Sequence, residues 1–154
     1  MTRPYTSRET RWVLEYVRTF YAADFDAGRV AFQVPLGPFA ESFTKRAAPR
    51  ADAVIVRPLE VVLIEGEAEN RTSALGQLLY YDFVFPLTPD FHADGHKPRR
   101  LILLVEDTEP TFELFVRKFG VELTTWAPAW LLEYLIQKRG SRRDLGQNRE
   151  DLGG

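Results

Sequence analysis

The chain has 154 residues, a length that one domain with a single core accommodates, and its 45% hydrophobic and 27% charged residues suit a folded protein and not a disordered one. It holds no cysteine and two histidines, which excludes a disulfide framework, a thiolate nucleophile and any cysteine-ligated zinc, and no Gly-x-Ser-x-Gly turn supports Ser-His-Asp chemistry. Twenty basic against 22 acidic residues give a net charge of -2, below what an autonomous DNA-binding domain ordinarily carries.

The N-terminus, MTRPYTSRETRW, is polar and has no apolar run of signal-peptide or membrane-spanning length. It predicts a cytoplasmic protein, or one released by cell lysis, with no membrane partner. Thr6-Ser7-Arg8-Glu9 reads as a capping box that starts a helix over 6–23, and Trp12, Val13, Tyr16, Val17, Phe20 and Tyr21 form its apolar stripe. After Gly28, the alternation of Val30, Phe32, Val34 and Leu36 with Ala31, Gln33 and Pro35 predicts a half-buried strand. Residues 37–50 have no period and read as a loop.

Residues 51–67 (ADAVIVRPLEVVLIEGE) contain two β-branched runs around Arg57-Pro58-Leu59-Glu60 and predict an antiparallel hairpin covered on both faces. Residues 72–84 predict a helix that buries Leu75, Leu78, Leu79 and Phe83. The loop 86–98 holds three prolines, and Leu101–Val105 reads as a buried central strand. Pro110 starts a helix to about Phe119, Gly120 stops it, and Val121–Thr125 is a further strand. A last helix follows Pro128 and is predicted to end at Gly140. The whole predicts an α/β fold with a mixed β-sheet flanked by helices, a single domain over 1–137 and a polar C-terminal tail over 138–154.

Three acids stand in or at the ends of the apolar strands: Asp52, Glu65 and Glu67. A hairpin turning through Pro58 and Leu59 pairs Val56 with Val61, Val54 with Leu63 and Asp52 with Glu65, and Glu67 shares the face of Glu65. Carboxylates so placed repel unless a divalent cation lies among them, and oxygen-only ligation suits Mg2+ or Mn2+ better than zinc. Such an ion activates water and stabilises charge on a phosphodiester.

Asp52, twelve residues, Glu65-Gly66-Glu67, then a helix bearing Gln77 and Tyr81, resembles the PD-(D/E)XK (restriction endonuclease-like, RecB-like) nuclease superfamily. The resemblance follows element order over roughly residues 6–125. It implies a restriction-endonuclease-like core of a helix, a mixed sheet carrying this hairpin and a flanking helix, with Asp52 and Glu65 as metal ligands. It also implies that Gln77 with Tyr81 answers the Gln-x-x-x-Tyr signature and that Glu9 is the acid of the first helix. Glu67 occupies the position of the motif's lysine, and Ala51 that of its proline. Some restriction endonucleases of the superfamily also carry Glu-x-Glu. The chain is similar as well to small phage and prophage proteins that end in a tryptophan-containing helix like Trp130-Leu-Leu-Glu-Tyr134.

Each signal has a plainer reading beside it. Asp52 and Glu65 can be solvated strand ends, Glu67 can belong to a surface alternation with Glu65 and Glu69, Glu9 can serve only its cap, and Gln77 can lie on a helix surface. His92 and His96 read as exposed loop residues, and Trp126 and Trp130 as a clasp for the last helix. The expected function is a divalent-metal-dependent nuclease-like protein acting on DNA, with catalytic Asp52, Glu65, Glu67 and Gln77 and metal ligands Asp52, Glu65, Glu67 and Glu9. Lys45 or Arg71 would stand in for the absent lysine. The alternative is a catalytically degenerate nuclease fold serving as a structural or adaptor protein in a phage particle or DNA-processing complex.

Overall fold

A computed structural model describes residues 7–40 and 49–150, with side chains to residue 141. Its elements run α1 (Arg8–Phe20), α2 (Ala22–Asp26), β1 (Val30–Pro35), β2 (Arg50–Val56), β3 (Val61–Gly66), α3 (Arg71–Val84), β4 (Arg99–Val105), α4 (Pro110–Arg117), β5 (Val121–Thr125) and α5 (Ala129–Glu150). The five strands form one sheet in the order β1-β2-β3-β4-β5. β1, β2 and β3 pair antiparallel, and β4 and β5 join β3 in parallel. This is the mixed α/β sheet that the alternation of strand and helix patterns predicts.

The sheet is covered on both sides, which explains why β3 and the inner part of β4 are apolar without alternation. On one side Leu63, Leu101 and Leu103 pack under Leu75, Leu78 and Tyr81 of α3 and Val116 of α4. On the other, Ile55, Val62, Ile64, Ile102 and Leu104 pack under Trp12, Val13 and Val17 of α1 and Leu131 and Leu135 of α5. Each fully buried aliphatic side chain here stabilises the fold by about 1.5–3 kcal/mol.

Four local features depart from the sequence pattern. The N-cap of α1 is Ser7, whose hydroxyl accepts from Thr10 N–H, so the capping box predicted from Thr6 is not the cap in use and Thr6 itself lies outside the described residues. Tyr21 leaves helical geometry to meet Tyr16, which divides the predicted 6–23 helix into α1 and α2. α3 buries Ala74, Leu75, Leu78, Tyr81 and Val84 and turns Phe83 outward at 71% exposure, because the stripe follows the smaller Ala74 towards the sheet. α5 continues through Gly140, whose missing Cβ faces open space; an exposed helical glycine costs about 1 kcal/mol and does not oblige a stop. Gly120, at φ +72°, ends the α4 segment as predicted.

The tryptophans form the expected clasp. Trp12 Nε1 donates to the carbonyl of Trp126 at 3.0 Å, the Trp126 ring packs on Tyr16 and Phe20, and Trp130 Nε1 donates to the Glu15 carboxylate at 2.7 Å. Among the described residues, no helix is long and apolar enough to cross a membrane.

Gly66, the last residue of β3, sets how closely α1 approaches the sheet. A Cβ there would lie 2.8 Å from Val13 Cγ2 and 3.4 Å from Trp12 Cε3. The β-branched Val13 has little rotamer freedom in a helix to move away. Gly66→Ala is therefore expected to destabilise the fold by about 1–3 kcal/mol, read as a lower urea midpoint; an unchanged midpoint would mean that α1 is free to shift.

Candidate functional site

The β2–β3 ladder has the register the sequence predicts, from Val56 opposite Val61 to Ala53 opposite Ile64, and Asp52 and Glu65 are the next opposed residues. At that point side chains take over the backbone's hydrogen bonds. Asp52 N–H donates to Glu65 Oε1 at 3.0 Å, and Gly66 N–H donates to Asp52 Oδ2 at 2.9 Å. Asp52 Oδ1 accepts from Gln33 Nε2 at 2.9 Å. The reciprocal exchange holds both carboxyl groups at the end of the ladder, 8% and 7% exposed.

Burial and mutual repulsion decide the charge of this pair. Burial pushes Asp52 up to about 6, with the charge of Glu9 adding to it and the Gly66 and Gln33 donors opposing it. Burial, then the charge of Asp52, pushes Glu65 up to about 9. Both carboxyls are raised, so at neutral pH the pair shares a proton and the two groups together carry one negative charge.

The other buried acids show what a structural acid looks like in this fold. Asp24 accepts from Arg57 and Arg29, and the hydrogen bonds from Arg57 hold its carboxyl below the usual range. Glu106 pairs with Arg71 and Arg139. Among the described residues these four are the buried acids, and Asp52 and Glu65 are the two that face each other. A buried carboxyl pair of this kind needs a proton or another positive charge to offset its repulsion.

The remaining candidates lie around this pair in different ways. Glu67 Oε1 accepts from the amides of Glu69 and Asn70, capping the turn into α3, while its charge helps to raise Glu65. Glu9 sits in the first turn of α1 and lines a cleft of about 50 Å³ with Arg8, Trp12, Tyr134 and Lys138. Tyr81 is buried beside the pair; its hydroxyl donates to the Arg50 carbonyl at 2.9 Å, and burial together with the charges of Glu65 and Asp52 pushes it above its ordinary value. Gln77 is exposed one turn before Tyr81 on α3, and His92 and His96 are exposed. Arg71 is engaged by Glu106 and Asp107 at the end of β4, and Lys45 lies outside the described residues.

Among the described residues, no group of three or more histidine, aspartate or glutamate side chains is placed to hold a metal ion, so the expected convergence of three carboxylates reduces to a pair. Two carboxylates are nevertheless the donor set that magnesium ordinarily takes from a protein, with water and substrate oxygens filling its other positions.

Gln33 belongs to the site, although its place in the strand alternation reads as an ordinary outward polar position. Its φ of +51° makes it the one non-glycine residue with positive φ among the described residues, a conformation that costs on the order of 1 kcal/mol. β1 and β2 pair on either side of Gln33 and Asp52, at Phe32 with Ala53 and at Val34 with Ala51, but not at those two residues. Both strands change face there. Phe32 and Ala53 pack on the α1 side, Val34 and Ala51 on the α3 side.

No family model matches the chain, and no curated protein or solved structure matches it significantly.

The carboxyl pair imposes a pH dependence on the ion-free protein. The folded state holds more protons than the unfolded chain between about pH 4, where ordinary carboxyls ionise, and about pH 9. Stability therefore falls as pH rises through this window. Glu65→Gln keeps the oxygen that accepts from Asp52 N–H and removes the second ionisation, so its guanidinium midpoint is expected to exceed the parent's above pH 8 and to vary less with pH. Parallel profiles for the two proteins would show that the pair does not titrate as described.

Proposed function

We propose that this protein is a divalent-metal-dependent nuclease-like domain that hydrolyses phosphodiesters in DNA, with Asp52 and Glu65 as ligands of a magnesium or manganese ion. The observation that carries this reading is the opposed pair itself: two buried carboxyls set against each other in a fold whose other buried acids are met by arginines. The order of a helix, a mixed sheet with this hairpin and a flanking helix agrees with the resemblance to the PD-(D/E)XK superfamily and supports the reading.

When bound, the ion would supply a water activated at neutral pH and stabilisation for charge developing on phosphoryl oxygens. Asp52, oriented by the amides of Gln33 and Gly66, and Glu65 would hold the ion, which would take the place of the proton the pair shares. Glu67 stands where the superfamily's lysine would position the water; with Oε1 held by the amides of Glu69 and Asn70, Oε2 would be the oxygen left to act as general base. Arg8, whose guanidinium lies 3.7 Å from the Tyr134 ring centroid, and Lys138, paired with Glu69, flank the neighbouring cleft and would offer phosphate contacts to a strand that displaces the Glu69 pairing.

A second reading rests on the same Glu67. Its carboxylate completes the entrance of α3, a purely structural task, and suits a nuclease fold that has lost catalysis and serves as a structural or adaptor protein in a phage particle or DNA-processing complex.

Isothermal titration with Mg2+ or Mn2+ and a DNA cleavage assay separate the two. The nuclease reading expects heat of binding and Mg2+-dependent cleavage in the parent, both lost in Asp52→Ala. Cleavage that persists in Asp52→Ala would sink the site assignment, and an absence of binding at millimolar metal would favour the adaptor.

A further inference from the structure

The left-handed backbone at Gln33 lies inside strand β1 and not in a turn. Glycine adopts that conformation without a steric penalty and asparagine at a reduced one, so a glutamine there costs stability unless its side chain returns something. Both donors of its amide nitrogen are engaged: Nε2 donates to Asp52 Oδ1 at 2.9 Å and to Thr10 Oγ1 at 3.1 Å. Thr10 Oγ1 in turn lies 2.8 Å from Ser7 Oγ, the hydroxyl that caps α1. One glutamine amide thus joins three elements: β1, on which it sits, the first turn of α1, which carries Glu9, and Asp52 of β2.

We infer that Gln33 is a positioning residue of the carboxylate site, its side-chain amide fixing Asp52 against the first turn of α1 in the orientation a divalent cation requires. This rests on the metal-site reading above. The missing β1–β2 pairing at Gln33 and Asp52 follows from it, since the strands give up a ladder position where the side-chain contact is made. The change of face in both strands falls at this position, and Val34 and Ala51 return to the core on the α3 side.

The test uses the full chain and Mn2+ alone, with free Mn2+ followed by electron paramagnetic resonance and folding by urea denaturation. Gln33→Gly keeps the left-handed backbone and deletes the amide. It is expected to show a urea midpoint no lower than the parent's, with Mn2+ affinity weakened on the order of 10–100-fold, the usual effect of removing a group that orients a metal ligand. Gln33→Asn also tolerates the backbone but is one methylene too short to reach both acceptors, so it is expected to lose affinity in the same way, and it carries the test should Gln33→Gly fail to fold. Parent-like Mn2+ affinity in either folded variant overturns the inference, and it leaves the metal site standing if Asp52→Ala has lost binding. A parent that binds no Mn2+ overturns the metal-site reading and this inference together.

Discussion

Two carboxyl groups meet at the end of an antiparallel ladder, each accepting a backbone N–H from the other strand's terminus, Glu65 from Asp52 and Asp52 from Gly66. Like charges at this separation and burial cannot both persist without a counter-charge, so the pair must take up a proton or another cation. The strands around it are built to hold the acids in place despite that cost. Val61 to Ile64 are fully buried, and the hairpin's apolar side chains pack under helices on both faces of the sheet, so drawing the acids out to solvent would expose core surface.

The helices pack so that this end of the sheet is enclosed. α1 crosses above Gly66 closely enough that a single methyl group would collide with Val13, and Trp12 anchors it to the segment after β5. On the other face α3 lays Tyr81 beside the pair, its hydroxyl fastened to the first residue of β2. The short contacts of Gln33 with Thr10 and Asp52 close the third side. Packing and charge pull in opposite directions here: the closer the packing, the more each carboxyl is raised above its ordinary value.

Much of this was legible in the residue pattern. Two β-branched runs around Pro58-Leu59 specify the hairpin, its length specifies the register, and the register alone opposes Asp52 to Glu65. The parallel strands were legible because helical patterns separate them. Features set by long-range contact were not. Gln33 faces Asp52 through a β1–β2 pairing that spans a long loop, so no local arithmetic places the two together, and its left-handed backbone has no signal in a Val-Ala-Phe-Gln-Val run. Likewise Ser7 serves as the cap of α1 and leaves Glu9 near Asp52, a one-residue difference that the overlapping Thr6-Ser7 pair conceals. Glu67 follows Glu65 on the same face, yet the turn into α3 draws its carboxylate onto two amides, a competition for hydrogen bonds that spacing cannot express.

The central claim is that the Asp52 and Glu65 pair holds a proton which a divalent cation displaces. Carboxyl-carbon nuclear magnetic resonance of Glu65, titrated with pH in the absence and presence of Mg2+, tests it most directly. The expected result is a Glu65 resonance that titrates well above pH 7 in the ion-free protein and at a markedly lower pH when Mg2+ is added. A resonance that titrates near pH 4.5 in both conditions would contradict the account.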